Sequence, residues 1–275
     1  LIILYLCRRM DYTINVNGRL IDFGEPQVMG ILNVTPDSFY EGSRMQSECE
    51  IADRCNQIVS EGAAIIDVGA CSTRPGSTPV SEAEEMERLR FALNIVRREQ
   101  PDSILSVDTF RPDVARMVVE EFGAAIVNDV SEGSPEMYRM VARLRVPYIL
   151  MSVQPTLREM LLAFAREVQQ LRDFGVKDII LDPGFGFGKT LEQNYEVMHG
   201  LDRLLVMELP LLVGISRKSM IYKLLGITPE DSLNGTMVLN TISLMKGASI
   251  LRVHDVQQAV ECVKIVNTLN RQMSK

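Results

Sequence analysis

Eight short apolar runs, VMGILNV (28–34), AIIDVG (64–69), ILSVDT (104–109), AIVNDV (125–130), YILMSV (148–153), IILDPG (179–184), LLVGIS (211–216) and ILRVHD (250–255), each end in polar residues. Helix-like stretches separate or follow them, at 47–61, 81–99, 111–122, 135–145, 156–174, 191–206, 231–246 and 255–272. Strand then helix, repeated, implies parallel pairing, because the crossover has to bring the chain back to the same end of the sheet. Eight such units predict an α/β chain folded as a single (β/α)8 TIM barrel, a fold that runs to about 250 residues as one domain. The C-terminal ends of all its strands share one face. Asn33, Asp67, Asp108, Asn128, Asp182, Ser216 and His254 are therefore expected side by side there, and polar residues at that face point to catalysis rather than packing.

Outward from the strands, YTINVNGRLIDF (12–23) alternates in polarity around Asn17-Gly18, a strong hairpin signal. A β-hairpin is expected to close the N-terminal mouth of the barrel. Residues 1–9, LIILYLCRR, carry too short an apolar stretch to span a bilayer, and their charges follow that stretch, the reverse of a signal peptide. Met10 is the expected start, with 1–9 an upstream remnant and 10–275 one barrel domain. Five cysteines, an odd number without a CxxC pair, suit a reducing cytoplasm. The net charge of -7 argues against a nucleic-acid surface, so any anionic ligand must be met by local cations. Two polar, Gly/Pro-rich connections, 35–46 and 70–80, are candidate lids over the active face.

Asp108, Asn128 and Asp182 each end a different strand, and such carboxylates and amides suit the edge of a flat nitrogen heterocycle. Taken singly, each would as readily cap the following helix. DPGFGFGKT (182–190) looks like a phosphate loop but has Pro183 where GxxxxGK[ST] requires glycine. Its glycines instead allow tight turns that set Phe185 or Phe187 against a planar ligand, or simply into packing. In GISRKSM (214–220) a strand gives way to a short helix, which places Ser219 at a positive helix N-terminus. Arg217 and Lys218 add charge, with Lys218 expected to face the ligand. In RVHD (252–255), Arg252 and His254 lie on one side of the last strand and, with Asn33, suggest an anion site across the barrel closure.

Together MGILNVTPDSF, IIDVGACSTRPGS, SVDT, NDVS, DPGFGFGKT, GISRKS and RVHDV resemble the dihydropteroate synthase family, pterin-binding enzymes of folate biosynthesis and the sulfonamide target, in the family's order and over nearly all of the chain from Met10. The resemblance implies a transferase that condenses 6-hydroxymethyl-7,8-dihydropterin pyrophosphate with p-aminobenzoate by an SN1-like path, releasing pyrophosphate with Mg2+ assisting. It implies a pterin pocket of Asp108, Asn128, Asp182 and Lys218 with Asp67 beneath. Asn33, Arg74, Arg252 and His254 would hold pyrophosphate and its metal, Asn33 as metal ligand and Thr73 at the edge. p-Aminobenzoate would lie among Pro75, Phe187, Lys218 and Ser219 under Phe39. Asp108, Lys218, Arg252 and His254 would be the catalytic set. Family members are commonly homodimers, and the apolar helix from Gly235 to Lys246 is a candidate contributor.

The chain departs from the family pattern at Glu41, where an aspartate is usual, at Cys71, where a glutamate usually precedes STRPG, and at Ser152-Val153-Gln154-Pro155, where HMQG is frequent. Three other readings compete: a methyltetrahydrofolate-dependent methyltransferase, a pterin-binding paralogue that no longer synthesises, and a sugar-phosphate barrel. The first has no need of the STRPG and SRKS segments; intact Lys218, Arg252 and His254 count against the second; the pocket acids and amide count against the third.

Overall fold

The computed structural model describes residues 12–34, 44–71 and 80–273. Residues 1–9, both candidate lids for most of their length, and Phe39, Glu41, Thr73, Arg74 and Pro75 lie outside the described residues.

Strands β1 (Thr13–Val16) and β2 (Arg19–Asp22) form the N-terminal hairpin, pairing antiparallel from Thr13↔Asp22 to Val16↔Arg19. Its turn has positive φ at both Asn17 (52°) and Gly18 (85°), the backbone whose twist matches a two-residue hairpin.

The barrel follows as β3 (Gln27–Asn33), α1 (Arg44–Ser60), β4 (Ile65–Gly69), α2 (Glu82–Glu99), β5 (Ile104–Asp108), α3 (Pro112–Phe122), β6 (Ile126–Asp129), α4 (Pro135–Leu144), β7 (Tyr148–Met151), α5 (Leu157–Asp173), β8 (Ile179–Asp182), α6 (Leu191–His199), β9 (Leu212–Val213), α7 (Ser219–Leu225), α8 (Leu233–Met245), β10 (Ile250–Val253) and α9 (Val256–Met273). The sheet is parallel throughout, in the order β8-β7-β6-β5-β4-β3-β10-β9. A parallel bridge between Leu181 and Leu211 closes it, with the Leu181 amide donating to the Pro210 carbonyl at 2.9 Å. All eight apolar runs are strands. The penultimate one, expected over 211–216, keeps only two residues in strand form.

Period-two alternation sorts the strand residues into an outer face under the helices and an inner face in the barrel. Val68, Val107, Val127, Leu150 and Leu251 belong to the outer core. Inside, one residue per strand makes an apolar floor: Met29, Ile65, Ile104, Ile126, Ile149, Ile180, Leu212 and Ile250. Ile14, Val16, Ile21 and Phe23 of the hairpin pack against that floor, so the hairpin stoppers the N-terminal mouth. Two residues further along, the inner face turns polar on β4, β5, β6, β8 and β10, while β3 and β7 keep Ile31 and Met151. The polar five are Asp67, Ser106, Asn128, Asp182 and Arg252.

Two helix boundaries differ from the periodic reading. The stretch 191–206 breaks into α6 and a 3₁₀ turn, Leu201–Met207, at Gly200, which leaves helical geometry at φ −103° and ψ 18° and where a Cβ would lie 2.3 Å from Leu157 Cδ1. The stretch from 231 starts as a 3₁₀ turn, Glu230–Ser232, before α8. At the start of α2 a Ser-x-x-Glu capping box is half present: Ser81 Oγ accepts from the Glu84 amide at 3.2 Å, while the Glu84 carboxylate pairs with Arg88. Thr190 and Gln193 form the complete box, at the start of α6.

Candidate active site

Each strand end delivers its side chain because the chain leaves the sheet just beyond it. From β10, Arg252 reaches across the barrel. Its Nε donates to Asp67 Oδ2 at 2.7 Å and its Nη2 to Asp108 Oδ2 at 3.0 Å. Gly214, just past the end of the neighbouring β9, lies against this side chain, and a Cβ there would stand in ordinary contact, 3.7 Å from Arg252 Cβ. Asn128 Nδ2 donates to the same Asp67 oxygen at 3.2 Å. Asp67 is fully buried, and its Oδ1, Asn128 Oδ1 and Ser106 Oγ have no hydrogen-bond partner in the protein. Native interiors rarely leave such groups unpaired, and three on the inner wall of one barrel mark a surface made to meet a polar ligand.

Burial raises the Asp108 carboxyl above the usual range, against the pull of Arg252 and with Asp67 adding to the rise. Asp182 is raised by burial too, opposed chiefly by Lys218. Burial also works against the charge on Arg252, but Asp67 and Asp108 outweigh it and hold the guanidinium above its ordinary value. The wall therefore presents acids and a fixed cation at low dielectric, where a matching ligand edge interacts strongly.

The loop after β8 turns on three glycines of positive φ, Gly184 (63°), Gly186 (80°) and Gly188 (62°). Their alternation decides the fate of the two phenylalanines: Phe185 is fully buried in the core, and Phe187 stays half-exposed beneath the Lys218 ammonium, 4.5 Å from its ring centroid. Lys218 Nζ also donates to the Phe185 carbonyl. Burial brings its pKa down to about 8, with Asp182 opposing the fall. Arg217 turns away at a positive φ of 56° and makes a two-pronged pair with Asp255, at 2.6 and 3.1 Å. Ser219 is the first residue of α7, directly after Lys218.

At the barrel closure Asn33 is exposed at the end of β3, its Oδ1 separated from Asp108 only by Gly69, where a Cβ would lie 3.6 Å from Asn33 Oδ1 and 3.5 Å from Asp108 Cβ. His254 is partly buried, and its amide donates to Ser216 Oγ at 3.2 Å. Burial, with Arg252 and Arg217 nearby, pushes its imidazole down to about 4. It is neutral at physiological pH.

A family model for pterin-binding enzymes matches residues 29–254, and dihydropteroate synthase of Escherichia coli is 38% identical over 94% of this chain and 97% of its own. The chain belongs to the dihydropteroate synthase family. Among solved structures, Xanthomonas albilineans dihydropteroate synthase with 4-aminobenzoic acid superposes with a TM-score of 0.87 at 33% identity, covering 94% of this chain and 97% of that one. A dihydropteroate synthase of Coxiella burnetii in complex with pteroic acid gives a TM-score of 0.83 at 31% identity, covering 94% and 98%. The protein is thus a transferase of the dihydropteroate synthase family and an enzyme of folate biosynthesis.

The structure gathers Asn33, Asp67, Asp108, Asn128, Asp182, Phe187, Lys218, Ser219, Arg252 and His254 at the C-terminal end of this barrel. Two residues around this candidate site carried no strand-end signal. Lys189 sends its Nζ to the carbonyls of Ser152 (3.0 Å), Gly184 (3.1 Å) and Phe187 (3.3 Å), tying the glycine loop to β7, and burial lowers its pKa to about 8. Arg111 pairs with Glu85 of α2 and sits 3.9 Å from Cys71 Sγ. Beside Cys71, one of the departures from the family pattern, stands the Glu85 carboxylate. Burial and that carboxylate push the Cys71 thiol up to about 12, far from a reactive thiolate.

Proposed function

We propose that this enzyme condenses 6-hydroxymethyl-7,8-dihydropterin pyrophosphate with p-aminobenzoate to give 7,8-dihydropteroate and pyrophosphate, by an SN1-like path. The observation that carries the proposal is the set of unpaired atoms in the barrel, Asp67 Oδ1, Asn128 Oδ1 and Ser106 Oγ, beside Asp108 and Asp182. A pterin edge supplies the N–H donors and ring acceptor that such a wall lacks. Breaking the methylene C–O bond leaves a cation delocalised into the ring and an anionic leaving group. Asp108 offsets the first; Arg252, which bridges Asp67 and Asp108, and His254 face the second. The neutral arylamine needs no enzyme nucleophile. It lies, on this reading, between Phe187, Lys218 and Ser219, with Phe39, Thr73, Arg74 and Pro75 completing the pocket.

Among the described residues no group of three His, Cys, Asp or Glu is disposed to hold a metal ion. The amide oxygen of Asn33 alone suits Mg2+, a hard ion that keeps several waters and is shared with substrate phosphates. Asn33 would hold the Mg2+ that accompanies pyrophosphate, and the ion would supply charge neutralisation for the leaving group.

Mixing the protein with Mg2+ and dihydropterin pyrophosphate, with and without p-aminobenzoate, tests the proposal. Pyrophosphate release coupled to dihydropteroate is expected; tight pterin binding without product would favour a non-synthetic paralogue. Asp182→Asn is expected to weaken pterin affinity about 10- to 100-fold, the worth of hydrogen bonds to a charged acceptor. An unchanged affinity by calorimetry would remove Asp182 from the pocket.

The same reading includes a cytoplasmic homodimer. No described helix is long and apolar enough to cross a membrane. α7, α8 and α9 leave Leu224, Leu225, Val238, Met245, Ile265 and Leu269 more than half exposed, a concentration of apolar surface that suits a twofold contact. Sedimentation equilibrium should give twice the chain mass, and Val238→Glu should halve it; a monomer at working concentration would count against the dimer.

A further inference from the structure

The last backbone pair between β3 and β10 is Gly30↔Val253. One residue further on, where Ile31 and His254 would be the next pair, a side chain spans the two strands. Arg54 of α1 donates through Nε and Nη2 to the Ile31 carbonyl, both at 3.3 Å, and through Nη2 to the His254 carbonyl at 2.6 Å. Its Nη1 is held by Gln57 Oε1 at 3.0 Å.

The helix is set at the right height for this reach. One turn after Arg54, Ile58 packs directly on Gly30, so closely that a Cβ on Gly30 would lie 2.5 Å from Ile58 Cγ2. α1 therefore lies flat on β3 at the level where the ladder stops, and its previous turn delivers a guanidinium to the strand ends. Arginine suits the task, because its planar fork can serve two acceptors at once. Ser216 holds the amide of His254 and Arg54 holds its carbonyl, so the backbone of that residue is fixed at both polar atoms. Asp255, Glu61 and Arg217 are the other charged groups facing Arg54.

We infer that Arg54 is a positioning residue for the anion end of the site: by bridging the Ile31 and His254 carbonyls it fixes the spacing of β3 and β10, and with it where Asn33 and His254 stand. The inference rests on the reading of that end as the pyrophosphate site. Arg54 itself turns to backbone on the outside of the barrel and acts through the residues it ties together.

The test uses Arg54→Gln and Arg54→Lys in the full chain. Arg54→Gln is expected to raise the KM for dihydropterin pyrophosphate about 10- to 100-fold, the scale of a misplaced binding group. Affinity for 6-hydroxymethyl-7,8-dihydropterin, which lacks the pyrophosphate, and the KM for p-aminobenzoate should stay at the wild-type level; both also report that the variant is folded. The chain has two histidines, so the imidazole Cε1–H spectrum holds two resonances. His254 should shift in Arg54→Gln while the exposed His199 stays, and Arg54→Lys should recover part of both effects. Equal weakening for the pterin with and without pyrophosphate, or an unmoved His254 resonance, would overturn the inference. A wild-type enzyme that makes no dihydropteroate would sink the functional reading instead, and the His254 resonance would still decide the role of Arg54.

Discussion

Replacing Arg252 with methionine is expected to abolish dihydropteroate formation and to cost about 3–5 kcal/mol of folding stability at neutral pH, the usual penalty for orphaning a buried charge. Two acids, Asp67 and Asp108, share this one guanidinium, and Asp67 has no exposed surface through which water could replace it. The pH dependence has a definite sign. Asp108 already titrates above its unfolded value, so between the two values the folded state holds more protons and stability falls as pH rises. Removing Arg252 takes away the interaction that opposes that rise, and the window widens upward. Denaturant unfolding should therefore show a larger loss at about pH 8 than at about pH 5.5. A second change, Asp67→Asn, should restore part of the stability and none of the activity. The same loss at both pH values would mean that Asp108 does not depend on Arg252 for its charge.

Gly184→Ala is the other change of large expected effect. At a φ of 63° any L-residue is strained, and the added Cβ would stand 2.3 Å from the Ser152 carbonyl oxygen and 3.0 Å from Met151 Cγ. That carbonyl accepts from Lys189, and the Ser152 amide donates to Asp182 O at 2.9 Å, so the methyl group would press apart the ends of β7 and β8 where Asp182 stands. Gly226 is the matched control. Its φ is 65°, and a Cβ there meets nothing within 4 Å. Gly226→Ala should cost about 1 kcal/mol, the left-handed strain alone, and Gly184→Ala several times more, with activity lost as well. Thermal unfolding of both variants gives the comparison. Equal losses would show that the β7–β8 end yields without cost.

The barrel was legible in the sequence because each strand is both apolar and bounded, and because period two carries the inside-outside division without help from distant residues. The same regularity made Asp108, Asn128, Asp182 and His254 visible as strand ends. It also implied more than the ends: stepping back by two from Asp108 reaches Ser106, whose unpaired hydroxyl lines the same wall. The fate of Phe185 and Phe187 was not legible, since three left-handed glycines remove the alternation that tells inside from outside. Lys189, Arg54 and Arg111 escaped for a different reason. Lys189 and Arg54 bind backbone carbonyls, and a carbonyl looks the same under every residue name; the partner of Arg111, Glu85, sits 26 residues away on another helix. Cys71 illustrates the limit of motif matching: Glu85 and Arg111, the charged groups that act on its thiol, are brought beside it only by the fold.

Among the described residues, the eight-residue floor with the hairpin beneath it closes one end of the barrel. Whatever touches Asp67 would then come and go by the opposite end. Such a vessel behaves as a stack: the deepest occupant enters first and leaves last, and anything resting above it bars its exit. If the two substrates of the proposed reaction both enter by the open end, their order of arrival is a matter of plumbing, set by the apolar residues farthest from the chemistry.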